Sequence, residues 1–147
     1  MKVTVFGAGA WGSTMAQVLH DAGNDVLIWG RNTDVVDEIN TRHTNTKYLG
    51  ENLLPESLRA SSDLAEAFNY SSFYVLAIPA QQLRATLEEW KPLISDDAVI
   101  VSTLKGIELD TQLRMTEIIE KVTGNHNVAV ITGPNLADEL ILRQPAG

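Results

Sequence analysis

The chain has no cysteine, which rules out a disulfide framework and a thiolate metal site. It has no apolar run long enough to cross a bilayer. The opening "MKVTVFG" lacks the long apolar stretch and small-residue cleavage site of a signal peptide, so a cytoplasmic address is expected. Cations are scarce: 11 Lys and Arg face 19 Asp and Glu, for a net charge of -8. A surface for nucleic acid or for an anionic membrane needs clustered cations, so neither partner is expected. An anionic small molecule remains compatible, because a few backbone N–H groups and one or two local cations can hold it.

Apolar residues make up 44% of the 147 positions, enough for one domain with a buried core rather than a solvated chain. Apolar runs alternate with amphipathic runs throughout. "VTVF" (Val3 to Phe6), "DVLIW" (Asp25 to Trp29), "FYVLAI" (Phe73 to Ile78), "AVIVS" (Ala98 to Ser102) and "NVAVIT" (Asn127 to Thr132) read as strands buried on both faces. "LRAS" near Leu58 reads as a weaker sixth strand.

Helical spacing places Met15, Val18, Leu19 and Ala22 on one face, and Met115, Ile118, Ile119 and Val122 on another. Leu83, Leu87 and Trp90 form a sparser stripe closed by Pro92. Asp63 with Glu66 resembles a capping box, and Gly23 and Gly124 stand where C-terminal caps belong. Asn40 to Leu58 reads as one long irregular segment. The alternation predicts an α/β fold with a doubly wound, mainly parallel sheet of the Rossmann type.

Within that frame "GAGAWG" (Gly7 to Gly12) follows the first strand and opens a helix at about Ala10 or Trp11. Gly7 permits the turn, Gly9 leaves room for a pyrophosphate, and Gly12 lets the helix pack on the sheet. A dinucleotide cradle is therefore expected. About 20 residues past the glycines, an NAD site commonly places a carboxylate. Here stands "WGRN", Trp29 to Asn32, without one. Arg31 suits a 2′-phosphate, which favours NADP over NAD, although Arg beside a bare ribose is compatible with NAD.

His20, His43 and His126 show no metal-ligand spacing, and no Gly-x-Ser-x-Gly elbow is present, so neither a metal nor a serine nucleophile is expected. Glu88-Glu89 and Asp96-Asp97 read as solvated charges.

"GAGAWG", "WGRN", "VLAIPAQQL", "VSTLKGIE" and "ITGPNLADEL", in this order and spacing, resemble the N-terminal half of bacterial NAD(P)-dependent glycerol-3-phosphate dehydrogenase. The resemblance covers essentially the whole chain and makes 1–147 a dinucleotide-binding domain. It implies reduction of dihydroxyacetone phosphate to sn-glycerol 3-phosphate for glycerophospholipid synthesis, by a homodimeric parent.

It also implies that Ala10 and Trp11 meet the cofactor pyrophosphate, that Arg31 meets the adenosine phosphate, and that Tyr48 and Ala137 touch the cofactor. Lys105 resembles a lysine shared by cofactor and substrate, and Gly133 and Asn135 resemble substrate contacts. Serine is common in the family where Ala10 and Asn135 stand here. The family runs on past "RQPAG" into a helical domain that carries the general-acid lysine. The chain by itself is thus expected to bind cofactor without turnover.

Two other readings share part of this pattern. One is a two-domain dehydrogenase of the 6-phosphogluconate or ketopantoate type, against which "LKG" followed by "GPNLADE" argues. The other is a free-standing module that senses the redox ratio.

Overall fold

In the computed structural model, which describes residues 1–145, six strands form one sheet. They are β1 (Lys2–Phe6), β2 (Asp25–Trp29), β3 (Arg59–Ser61), β4 (Phe73–Leu76), β5 (Val99–Ser102) and β6 (Val128–Val130). Ala146 and Gly147, the last residues of the domain drawn from the sequence, lie outside the described residues.

The sheet order is β3-β2-β1-β4-β5-β6 and all five pairings are parallel. Chain direction along the sheet reverses between β1 and β4. Ligands of such sheets bind in the crevice beyond the carboxyl ends of the strands at that reversal. The register sets Phe6 opposite both Trp29 and Leu76, so three strand ends finish level with one another.

Helices cover both faces: α1 (Ala10–Asp21), α2 (Thr33–Arg42), α3 (Thr46–Leu49), α4 (Leu64–Tyr70), α5 (Leu83–Trp90), α6 (Met115–Thr123) and α7 (Ala137–Ile141). Successive residues of β1 serve opposite layers. Val3 and Val5 pack with Met15, Val35 and Ile39 on one face, and Phe6 packs with Phe68, Leu87 and Ile119 on the other. Thr4, fully buried between them, donates its hydroxyl to the Ala67 carbonyl at 2.9 Å and so ties α4 to the central strand. Phe6 lies 4.6 Å from Phe68 and 5.0 Å from Trp90, centroid to centroid, which makes the second layer rigid beneath the strand ends.

Met115, Ile118, Ile119 and Val122 are all buried, as their spacing predicts. Gly23 and Gly124 take positive φ after α1 and α6. Four expectations need correction. On α1, Val18 and Ala22 are exposed, while Ser13, Thr14 and Gln17 are buried. The helix is covered on a second side by α7, where Gln17 donates to the Ile141 carbonyl at 3.0 Å, so its buried arc is wider than an apolar stripe.

β6 is one of the two edge strands among the described residues, and its Ala129 and Val130 are exposed, not buried on both faces. The capping box at α4 is half formed. Asp63 accepts from the N–H groups of Ala65 and Glu66, but Glu66 turns to Ser61 and Arg59. The irregular segment is also ordered: it contains the end of α2 and all of α3, and Thr44 bridges to Leu53. The Glu38 carboxylate accepts from the Thr44 hydroxyl at 2.7 Å and from the Thr46 N–H at 2.8 Å.

Candidate active-site cleft

The turn from β1 into α1 is set by what its glycines exclude. Gly7 has φ +125, and its N–H donates to the Trp29 carbonyl at 2.8 Å. A Cβ on Gly7 would stand 2.3 Å from the Ala77 carbonyl oxygen, and one on Gly12 would stand 1.9 Å from the Gly7 carbonyl oxygen. Both positions are closed by backbone, so no side chain fits. Gly9, the residue preceding α1, differs: a Cβ there would meet nothing within 4 Å.

The N-terminus of α1 has no side-chain cap and no acidic residue in its first turn. Its free N–H groups and the positive end of its dipole therefore stand uncompensated beside an open space. That is a cradle suited to a diphosphate.

The space is a cleft of about 520 Å³. The glycine turn forms one wall, Trp29 to Asn32 and Tyr48 a second, and Ala77 to Pro79 a third. Gly7, Gly9, Ala10, Trp11, Gly12, Arg31 and Tyr48 are thus brought together. Arg31 is exposed at the end of β2, and the following Asn32 caps α2 by accepting from the Asp34 N–H at 3.0 Å. The indole N–H of Trp11 is buried with no protein partner among the described residues.

A second cavity of about 450 Å³ shares Ala10, Trp11, Ala77 and Ile78 with the first. Lys105, Asn135 and Ala137 line it. Lys105, on the loop after β5, donates to the Gly133 carbonyl at 3.0 Å. A Cβ on Gly133 would stand 2.9 Å from the Asn135 amide nitrogen, so the turn Gly133 to Asn135 folds tightly on itself. Ala10 and Trp11 line both cavities. Ala137, expected at the cofactor, lines only the second with Lys105 and Asn135, and Gly133 lines neither but meets Lys105 through its carbonyl.

The Lys105 loop is fixed from α5. Arg84 donates twice to the Glu108 carboxylate, at 2.9 and 2.8 Å, and the Thr111 hydroxyl donates to the same group. The Arg84 guanidinium first, and the Thr111 hydroxyl second, hold the Glu108 carboxyl down to about 2. Gln81 accepts from the Leu109 N–H at 3.1 Å and donates to the Ile107 carbonyl at 2.9 Å.

Over residues 2–147 the sequence matches the model of the family described as NAD-dependent glycerol-3-phosphate dehydrogenase N-terminus. The chain belongs to this family. Among curated relatives, glycerol-3-phosphate dehydrogenase [NAD(P)+] 2 of Mycobacterium tuberculosis is 50% identical over 98% of the chain and 44% of its own length. The corresponding protein of Streptomyces avermitilis is 48% identical over 99% of the chain and 44% of its own length. A crystal structure of glycerol-3-phosphate dehydrogenase from Coxiella burnetii superposes with a TM-score of 0.88 at 31% identity, over 99% of the chain and 44% of that structure. The chain spans less than half the length of these proteins.

Three supports of the cleft are not singled out by the sequence. Gly30 allows β2 to end against the glycine turn, since a Cβ there would stand 2.6 Å from that of Ala8. Its signal was its place between the second strand and Arg31. The Arg84–Glu108 pair joins residues 24 apart and leaves no local pattern. Asn45, fully buried, sat in a stretch read as irregular.

Proposed function

We propose that residues 1–147 are the dinucleotide-binding domain of a cytoplasmic, homodimeric enzyme that reduces dihydroxyacetone phosphate to sn-glycerol 3-phosphate for glycerophospholipid synthesis. The observation that carries this reading is the contrast among the glycines. Gly7 and Gly12 are sealed by backbone, while Gly9 opens onto a cleft that adjoins the Lys105 cavity. The names of the family and of the relatives support it.

The N–H groups from Gly9 to Gly12 hold the pyrophosphate, and the close packing at Gly7 and Gly12 keeps them in place. Trp11 borders both ligands, Arg31 pairs with the 2′-phosphate of NADP, and Tyr48 and Ala137 flank the cofactor. When bound, the nicotinamide dinucleotide supplies the hydride. Reduction of a carbonyl builds negative charge on its oxygen, and the Lys105 ammonium stabilises that charge. Gly133 and Asn135 bind the substrate beside it. Turnover belongs to the full-length protein, which carries the general-acid lysine in its helical domain. NADP is the preferred cofactor and NAD the weaker one, because no carboxylate stands at 31 or 32 to bind a bare ribose.

The test is to assay the full-length protein with NADPH and dihydroxyacetone phosphate, with NADPH and ketopantoate, and with NADP and 6-phosphogluconate. The reading requires turnover of dihydroxyacetone phosphate to exceed the other two. A preference for either alternative overturns it.

A further inference from the structure

Asn45 joins two walls of the cleft from inside the protein. It is fully buried, and its side-chain amide donates to the Ala8 carbonyl at 2.9 Å and to the Ser13 hydroxyl at 2.9 Å. Ala8 lies between Gly7 and Gly9, and Ser13 closes the first turn of α1 by donating its N–H to the Gly9 carbonyl at 3.0 Å. Both amide protons of Asn45 are therefore spent on the turn. The main-chain carbonyl of Asn45 accepts from the N–H groups of Tyr48 and Leu49, at 3.1 and 2.8 Å, and so starts the short helix that brings Tyr48 to the cleft, while its side-chain oxygen has no partner among the described residues.

The Ala8–Gly9 peptide is trans, so its C=O and N–H point in opposite directions. Holding the Ala8 oxygen on Asn45 directs the Gly9 N–H away from the buried side chain. That N–H donates to no protein acceptor among the described residues. The flanking Thr44 and Thr46 are fixed on Glu38, which keeps Asn45 from withdrawing.

We infer that Asn45 is a positioning residue for pyrophosphate: it presets the Gly9 N–H toward the ligand and locks Tyr48 in the opposite wall. The inference rests on the dinucleotide reading of the cleft. A donor fixed before the ligand arrives binds more tightly than one that must be ordered on binding.

The test uses the 147-residue chain, labelled with ¹⁵N and titrated with NADPH. In the wild type the Gly9 and Arg31 amide resonances both shift at saturation, and the Asn45 side-chain amide protons exchange slowly. Asn45→Ala weakens NADPH by about tenfold or more. It abolishes the shift at Gly9 while the shift at Arg31 persists. Equal affinity in the variant, or loss of both shifts together in a folded variant, overturns the inference.

Should Asn45→Ala not fold, the wild type and Ser13→Ala decide. Ser13→Ala keeps the Ala8 bond and must keep the Gly9 shift, and rapid exchange of the Asn45 amide in the wild type contradicts the proposal. Absence of any NADPH binding by the wild type sinks the dinucleotide reading itself, a distinct result.

Discussion

The Lys105 ammonium donates to the Gly133 carbonyl oxygen across 3.0 Å and ties the loops that leave β5 and β6. These strands are neighbours in parallel register, so both loops emerge at the carboxyl edge of the sheet. The bond holds Lys105, the one cation among the described residues that line the second cavity, beside the turn Gly133 to Asn135. A fixed charge there needs no reorganisation as a substrate oxygen becomes negative.

Replacing Lys105 by Met in the full-length protein should lower kcat/KM for dihydroxyacetone phosphate by about 10²–10³-fold, the cost of losing one preorganised donor. NADPH affinity should fall less, because the N–H groups at α1 remain. Steady-state kinetics beside a binding titration of the same variant reads both effects. A variant with unchanged kcat/KM contradicts the role of Lys105.

The glycines should separate folding from binding. Gly12→Ala drives a Cβ into the Gly7 carbonyl and should cost roughly 1–3 kcal/mol or more of stability. Gly9→Ala meets no atom within 4 Å and should melt close to the wild type. If the pyrophosphate lies on this turn, the added methyl group would crowd it, so NADPH binding should weaken sharply. Thermal melts and titrations of the two variants read this directly, and a Gly9→Ala protein with wild-type affinity contradicts the cradle.

Arg31→Ala should reduce affinity for NADPH by about tenfold or more and leave NADH nearly unchanged. Parallel titrations with the two cofactors measure the ratio. Equal affinities in the wild type, unaltered by the substitution, contradict the pairing of Arg31 with a 2′-phosphate.

Much of this architecture is legible in the sequence because buried parallel strands and α6 carry their patterns locally. "DVLIW" matches β2 residue for residue, and Met115, Ile118, Ile119 and Val122 match the buried face of α6. Features settled by a partner far along the chain are not legible. "VAV" has the same apolar pattern at the outer edge of a sheet as at its centre, so the exposure of β6 is invisible without the strand order. Gln17 and Thr14 look like surface positions until α7 covers α1.

In the cleft and the cavity beside it, the glycine turn, Arg31 and Lys105 stand in motifs that the sequence displays. Asn45 reaches the turn from 37 residues away, and its role exists only through that bond.

Acid should weaken the Lys105 loop through Glu108. Its carboxyl is held down to about 2 from an ordinary 4.5, by Arg84 and then by Thr111. A depressed carboxyl contributes stability above its unfolded value and loses it as pH falls toward the folded value. Glu108→Gln should therefore melt below the wild type at pH 7, and the two melting curves should converge between pH 4.5 and about 2. A pH-independent difference contradicts an electrostatic origin.

The proposed role of the turn Gly7 to Gly12 is to hold a dinucleotide by its pyrophosphate. The most direct measurement is a calorimetric titration of the 147-residue chain with NADPH, repeated in the presence of ADP-ribose. Saturable one-site binding that ADP-ribose displaces is expected, since ADP-ribose keeps the pyrophosphate while lacking both the nicotinamide and the 2′-phosphate. Absence of binding, or binding that ADP-ribose leaves untouched, would contradict it.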